Sequence, residues 1–469
     1  MFRRLAILSI VSIGLVGCSL APPYRRPEAP VSSTWPSGPA YRESSLATDA
    51  TSAADLKWRE FFRSPQLQAL IELALANNRD LRIAALNVEK SRARFRIQRA
   101  DLLPTLAAAG SAAVQRLPAD LAPGGQAMIA RNDYLGLGLS SYEIDFFGRV
   151  RSLKEQALEQ YLASEEARRS VQISLVAEVA NNYLILAADR ERRTLALETL
   201  DSQQASYQLI QRRFAAGASS ELDLRQAQTR VEAARVDAAR YTSQVAQDEN
   251  LLTLVVGAQL PPELLPGGFS AVGTLRALPA GVPSEVLLRR PDVLQAELQL
   301  MAANANIGAA RAAFFPRITL NTNIGTASDQ LSGLFAPGSL AWGFVPQVSL
   351  PIFDYGRNRA GLTVAERDRD LFLARYEKAI QSAFREVADA LAQNGTLGEE
   401  LGAQQSLLEA SSESYRLSRA RYQQGVDSYL NVLDSQRAFY AAQQGLISVN
   451  LTRLSNLVTL YKVLGGGIE

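Results

Sequence analysis

The chain of 469 residues contains no histidine and one cysteine. Without histidine, the commonest general base and the commonest metal ligand are missing. One cysteine permits neither an intrachain disulfide nor a CxxC metal site. There is no GxSxG and no P-loop, so an enzyme is the least expected class, and neither a metal nor a cofactor is expected. The net charge of +2 points to no nucleic acid or other strongly charged partner. Proline is absent from residues 124–260 and from Ile352 to the C-terminus. Proline breaks helix interiors, so these stretches can carry very long helices. At about 1.5 Å per residue, residues 150–214 alone would form a rod about 100 Å long, a length no compact globule needs.

The lone cysteine stands in an informative place. MFRRLAILSIVSIGLVGCSL begins with Arg3 and Arg4, continues with an apolar run too short to span a bilayer comfortably, and ends in Leu15-Val16-Gly17-Cys18. This reads as a bacterial lipobox: residues 1–17 are a signal peptide, and Cys18 is the new N-terminus, acylated on its thiol (a palmitate or similar chain) and anchored to a membrane. Ser19 rather than Asp after the cysteine fits sorting to the outer membrane. Residues 18–54, rich in Pro, Ser and Ala, read as a tether.

The remainder repeats itself. LLPTL at 102–106 has a partner in FFPRITL at 314–320, FFGRVR at 146–151 in DYGRNR at 354–359, and LLTLVVG at 251–257 in TLYKVLG at 459–465. RFAAGASSELDLRQAQ at 213–228 aligns with RYQQGVDSYLNVLDSQ at 421–436 without a gap, at an offset of 208. Two structurally similar halves are expected, 55–257 and 284–469, joined by a proline-rich linker at 258–283. Each half should run helix, proline stop, strand, loop, strand, and then a long helical hairpin that reverses at Gly217 or Gly425. Glycine supplies the positive φ that stops one helix and turns into the next. Ser220 or Ser428 is placed to cap the returning helix.

The strands alternate with period two in places: Leu135, Leu137 and Leu139 against Gly136, Gly138 and Ser140, and Ile318, Leu320 and Ile324 against Thr319, Asn321 and Asn323. Each is read as about ten residues long, the length of a tilted membrane-spanning strand. Aromatics at the helix–strand borders (Phe146, Phe147, Phe314, Phe315, Phe353, Tyr355) resemble an interfacial girdle. A half-buried soluble sheet is the competing reading. Four strands cannot close a barrel, and an open edge is forbidden in lipid, so membrane strands imply an oligomer. Two chains give eight strands and three give twelve; the pattern does not choose. The helices, with stretches such as QQAS at 203–206 and AQQSLLEASSES at 403–414, suit narrow seams with water on two sides. Two glycines within NGTLG at 394–398, each costing about 1 kcal/mol against alanine, suggest a local bend or a thinning there.

The chain resembles the TolC-like outer-membrane efflux proteins, in the lipoprotein branch that serves resistance–nodulation–division (RND) pumps. The resemblance is carried by CSLAPPYRRP at 18–27, WREFFRSPQLQALIELALANN at 58–78 and LLRRPDVLQAELQLMAANANIGAARAAFFPRITL at 287–320, and extends through the FGR and YGR segments and both glycine tips. It implies an α+β membrane protein: a homotrimer whose twelve-stranded outer-membrane β-barrel, four strands per chain, continues into a long periplasmic α-helical barrel. It implies a passive exit duct in the outer membrane, docked through a periplasmic adaptor onto an inner-membrane RND transporter and carrying drugs or other toxic small molecules. The resemblance places the adaptor-docking tips at Arg213, Gly217, Ser219 and Ser220 and at Arg421, Gly425, Asp427 and Ser428. It also places a periplasmic gate at Asp434 and Asn431, where relatives have two aspartates. Asp427 lies seven residues before Asp434, on nearly the same helical face, and joins the gate candidates. The alternatives are an outer-membrane duct for type I protein secretion and a lipid-anchored helical scaffold without a pore.

Overall fold

The computed structural model describes residues 19–41, 56–273, 275–276 and 284–466. The signal peptide 1–17, Cys18, most of the tether after residue 41, and Pro279 and Pro283 of the linker lie outside the described residues. In chain order the principal elements are α1 (Pro65–Asn77), α2 (Arg79–Ala100), β1 (Leu106–Leu117), β2 (Met128–Glu143), α3 (Arg149–Ala215), α4 (Glu221–Val256), α5 (Pro291–Ala312), β3 (Arg317–Ser328), β4 (Leu340–Ser349), α6 (Arg357–Gln423) and α7 (Tyr429–Val463). Apart from the additional helix α1, the succession helix, strand, strand and two long helices therefore occurs twice. Two compact units cut across it, each drawing segments from both halves.

The first unit holds the sheet. Its four antiparallel strands are ordered β1-β2-β3-β4, and no described strand pairs with the outer edge of β1 or of β4. The strands are 12, 16, 12 and 10 residues long, so β2 exceeds the expected ten. Part of its excess is a bulge. Leu139 faces Thr322 but Tyr142 faces Leu320, and Ser141 sits between them at φ 54°, its N–H donating to Asn321 Oδ1 at 2.8 Å. Register assigns the faces. One row runs Ala108–Leu137–Ile324–Trp342 and the next on the same face Leu106–Leu139–Thr322–Phe344. The opposite face carries Ala109–Gly136–Gly325–Ala341 and Ala107–Gly138–Asn323–Gly343. One face is bulky and apolar, the other small and polar. The apolar face is uncovered, with Ile324 58%, Trp342 73% and Phe344 61% exposed. A half-buried soluble sheet would hide these side chains, whereas a strand facing lipid need not.

The second unit is helical, and its core forms where α1 and the preceding turn at Trp58–Phe61 pack. Phe61 stacks on Tyr461 at 4.2 Å with nearly parallel rings, and the Tyr461 hydroxyl donates to the Leu56 carbonyl at 2.6 Å. Asn78 joins α1 to α4 by donating from Nδ2 to the Val255 carbonyl at 2.7 Å. Along α4 the buried residues Ala227, Val231, Ala234, Ala238, Val245, Asp248, Leu252 and Val255 follow a seven-residue repeat. This is the narrow seam of a supercoiled helix rather than the broad face of a globular one. Through NGTLG, α6 continues as one helix from Arg357 to Gln423. A Cβ added at Gly398 would meet nothing within 4 Å, so no close neighbour requires the glycine there, and it lowers helix propensity.

Candidate functional site

The two hairpin tips are built from backbone rules. At the first, Gly217 adopts φ +70°, the Ala218 N–H donates to the Arg213 carbonyl at 2.8 Å and the Gly217 N–H to the Phe214 carbonyl at 2.9 Å. At the second, Gly425 adopts φ +75°, Val426 donates to Arg421 and Gly425 to Tyr422, both at 3.0 Å. Each is a Schellman end, which satisfies the last helical carbonyls by passing through a left-handed residue.

The returning helices start differently. Ser220 caps α4 in a reciprocal capping box: its Oγ accepts from the Asp223 N–H at 3.1 Å while Asp223 Oδ2 accepts from the Ser220 N–H, also at 3.1 Å. The Ser219 hydroxyl donates to the same carboxylate at 3.2 Å. Ser428, in the matching position on α7, makes no side-chain cap. Its tip is held by an ion pair instead, in which Arg421 Nε and Nη2 donate to the two Asp427 oxygens at 2.6 and 3.1 Å. That hydrogen-bonded guanidinium holds the Asp427 carboxyl below its usual range.

The structure brings the two tips together at their bases. The Arg213 guanidinium lies over the Tyr422 ring at 5.1 Å, and Tyr422 contacts Tyr429 at 5.2 Å. Beneath them Ile210, Ala227, Tyr429, Val432 and Leu433 form a buried cluster. Burial pushes the Tyr429 hydroxyl up to about 12. Asn431 and Asp434 are exposed on the first turns of α7. Asp434 carries its own guanidinium partner, Arg437. Both candidate gate acids therefore have an arginine in the same chain. The Asp434–Arg437 pair could have been found from helical spacing. The Asp427–Arg421 pair depends on the geometry of the turn.

A further feature of the sheet-bearing unit has no signal in the sequence. Residues 19–28 form a strap along α5. Arg26 Nε and Nη2 donate to the two oxygens of Glu297, each at 2.7 Å, and the Tyr24 hydroxyl joins them at 3.0 Å. Asn304 donates to the Pro22 carbonyl at 2.7 Å and Arg311 to the Leu20 carbonyl at 3.2 Å. Residues 297, 304 and 311 recur every seven, hence on one face. Cys18 itself lies outside the described residues.

Similarity to known proteins agrees with this geometry. The family model described as "Outer membrane efflux protein" matches residues 70–258 and again 282–466. The toluene efflux pump outer membrane protein TtgC of Pseudomonas putida is 49% identical over 467 residues, covering 100% of this chain and 96% of that one. A crystal structure of a membrane protein from Pseudomonas aeruginosa superposes with a TM-score of 0.88 at 44% identity, covering 96% of this chain and 98% of its own. The open state of the Neisseria gonorrhoeae MtrE outer membrane channel gives 0.86 at 38%, covering 96% and 99%. The chain belongs to the outer membrane efflux protein family and is an α+β efflux component of the outer membrane, in a family of channel proteins rather than enzymes.

Proposed function

We propose that three copies of the chain close a twelve-stranded barrel and form a passive duct, fed by an inner-membrane RND transporter through a periplasmic adaptor that seats on the hairpin tips. The observation that carries this reading is the open sheet: an uncovered apolar face with, among the described residues, an unpaired edge on each side. Unpaired strand edges are intolerable in lipid and must find a partner. Barrel size favours three copies. About eight strands enclose a space that side chains just fill, leaving no passage, whereas twelve leave a lumen. The face opposite the apolar one, lined by small residues and Asn323, suits that lumen.

The internal repeat supplies the contact between copies. Phe147, after β2, stacks on Phe315, before β3, at 4.7 Å. The equivalent after β4, Tyr355, is 91% exposed, its neighbour Phe353 is 76% exposed, and Leu103 before β1, the equivalent of Phe315, is 71% exposed. Only another copy can bring a β4 end to a β1 start. Past the bulge, Tyr142 pairs with Leu320. Carrying that pair across the repeat by Gly148/Gly356 and Pro316/Pro104 sets Leu350 opposite Ala108 of the neighbour. Val345 then faces Ala113 and Phe344 faces Val114, so the apolar side chains stay on one face.

Asp434, Asp427 and Asn431 are assigned to the periplasmic closure. Because Arg437 and Arg421 already pair with the acids, that closure is a set of ion pairs that can change partners rather than a ring of bare carboxylates. Cys18 is assigned as the acylated residue. The strap supports this, since it ties Leu20 to Arg311, six residues before β3 begins. The names of relatives that carry toluene support small apolar toxic compounds as cargo.

Purified protein in detergent should have the mass of three chains, and in a planar bilayer it should give discrete conductance steps. Absence of conductance, even after Asp434→Ala, would overturn the duct.

A further inference from the structure

The helical unit contains a pair of carboxyl groups that the duct does not use. Asp189 on α3 and Asp248 on α4 are only 5% and 6% exposed. Asp248 stands in the α4 seam, two turns from Val255 and next to Val245 and Leu252, where every other buried position is apolar. A polar residue at such a position costs stability and is retained where it fixes register or switches.

The surrounding groups are few. Arg192 Nη1 donates to Asp189 Oδ1 at 2.6 Å, and its Nη2 reaches the Ser448 hydroxyl on α7 at 2.9 Å. Gln244 Nε2 donates to Asp248 Oδ1 at 3.2 Å. No donor is directed at Asp248 Oδ2, which is fully buried. Asp189 lies 26 residues before α3 ends at Ala215 and Asp248 lies 27 residues after α4 begins at Glu221, so the two carboxyls stand at the same height on the two arms of one hairpin. The charged groups acting on Asp248 are Asp189 and Arg192. The side chain of α7 in this cluster is the neutral Ser448, and Glu249, next along α4, is held by Arg190 at 2.7 Å. Two carboxylates in contact in a buried site cannot both be ionised. Asp189 Oδ1 already accepts from Arg192, so the proton belongs on the Asp248 oxygen that has no donor.

We propose that Asp248 and Asp189 share one proton and thereby form a pH-operated fastener between α3 and α4. With the proton present, Asp248 Oδ2 donates to Asp189 and the two helices are joined. When the proton leaves to bulk water, two carboxylates face each other across the seam and the joint springs. Burial, with the Asp189 carboxyl adding to it, raises Asp248 to about 6. The value in the folded chain thus exceeds the ordinary carboxylate value, so the joint is complete in acid and is lost as pH rises through about 6. The proposal concerns the helical unit alone and stands or falls independently of the pore.

Hydrogen exchange of the full-length protein tests it, read as protection factors for amides in 186–193 and 245–252. Between acid and neutral pH, protection should fall up to about 100-fold, the factor that follows when a carboxyl rises from 3.8 to about 6, and the midpoint should lie near 6. Asp248→Asn, whose amide still donates but does not titrate, should hold the high level throughout. On wild-type protein, infrared difference spectra should show a protonated-acid carbonyl band in acid that disappears across the same midpoint. An unchanged pH slope in Asp248→Asn, or no acid carbonyl band in the wild type, would overturn the shared proton. The infrared measurement decides the matter if the variant fails to fold.

Discussion

The contact between copies can be tested to the residue. If β4 of one chain pairs with β1 of the next as the repeat dictates, Val345 and Ala113 are directly opposed on the small-residue face. Opposed residues of antiparallel strands have Cα atoms about 4.5–5.5 Å apart. A disulfide accepts about 4.4–6.8 Å. Val345→Cys with Ala113→Cys should therefore oxidise between chains. A two-residue slip changes the partner to a diagonal neighbour about 7–8 Å away, beyond reach of a good disulfide. A one-residue slip sends the side chain to the other face altogether. The background is simple because Cys18 is the sole natural cysteine. On a non-reducing gel, membranes carrying the double variant should show covalent species at two and three times the mass of the single processed chain. Each single variant, and Val345→Cys with Ala109→Cys, should remain at one chain. Efficient cross-linking of the Ala109 pair instead, or none of the Ala113 pair in intact assemblies, would refute the register and the reasoning by internal repeat behind it.

Gly425→Val forces a β-branched residue to φ +75°, at a cost of about 1–2 kcal/mol. It should weaken capture of the adaptor while three-chain assemblies persist; normal efflux in both this and the Gly217→Val variant would count against docking at the tips. Tyr461→Ala removes the ring stacked on Phe61 and should lower the stability of the helical unit by about 3–5 kcal/mol, seen as an earlier denaturant midpoint. Arg26→Ala leaves Glu297 without its bidentate partner, about 2–3 kcal/mol of strap docking, and limited proteolysis should then cut within 19–28 sooner than in wild type. The Asp427 carboxyl is lowered by Arg421, so its contribution to the second tip is present above the ordinary carboxylate value of 3.8 and is lost as pH falls below it. Exchange of the tip amides should accelerate in strong acid, and Asp427→Asn should remove that dependence.

What could be read in the sequence was what local backbone chemistry dictates. Prolines at 104 and 316 mark the ends of helices, and proline-free stretches became α3, α4, α6 and α7. The glycine tips could be read because a helix reversal needs a left-handed residue. Alternation in β2 and β3 disclosed which face is apolar, although the bulge at Ser141 could not be foreseen, because it depends on the Asn321 side chain across the strand. At NGTLG the sequence shows only lost helix propensity, and the helix is continuous through it. Ser428 looked like Ser220, yet its tip is tied by Arg421 and Asp427, a pairing that exists only once the turn is made. Glu297 with Arg26, and Asp189 with Asp248, stand far apart in the chain. No spacing rule connects such residues, and only the fold brings them together.

The free strand edges also have a genetic consequence. Each chain supplies one β1 edge and one β4 edge, so a ring closes only if every junction in it closes. A variant damaged at one edge, made alongside the normal chain, enters mixed rings, and one bad junction opens the whole barrel to lipid. Edge damage should therefore behave as dominant, whereas loss of the entire chain should be recessive. The position of a substitution relative to β1 and β4 decides whether a cell with two copies of the gene is protected or poisoned.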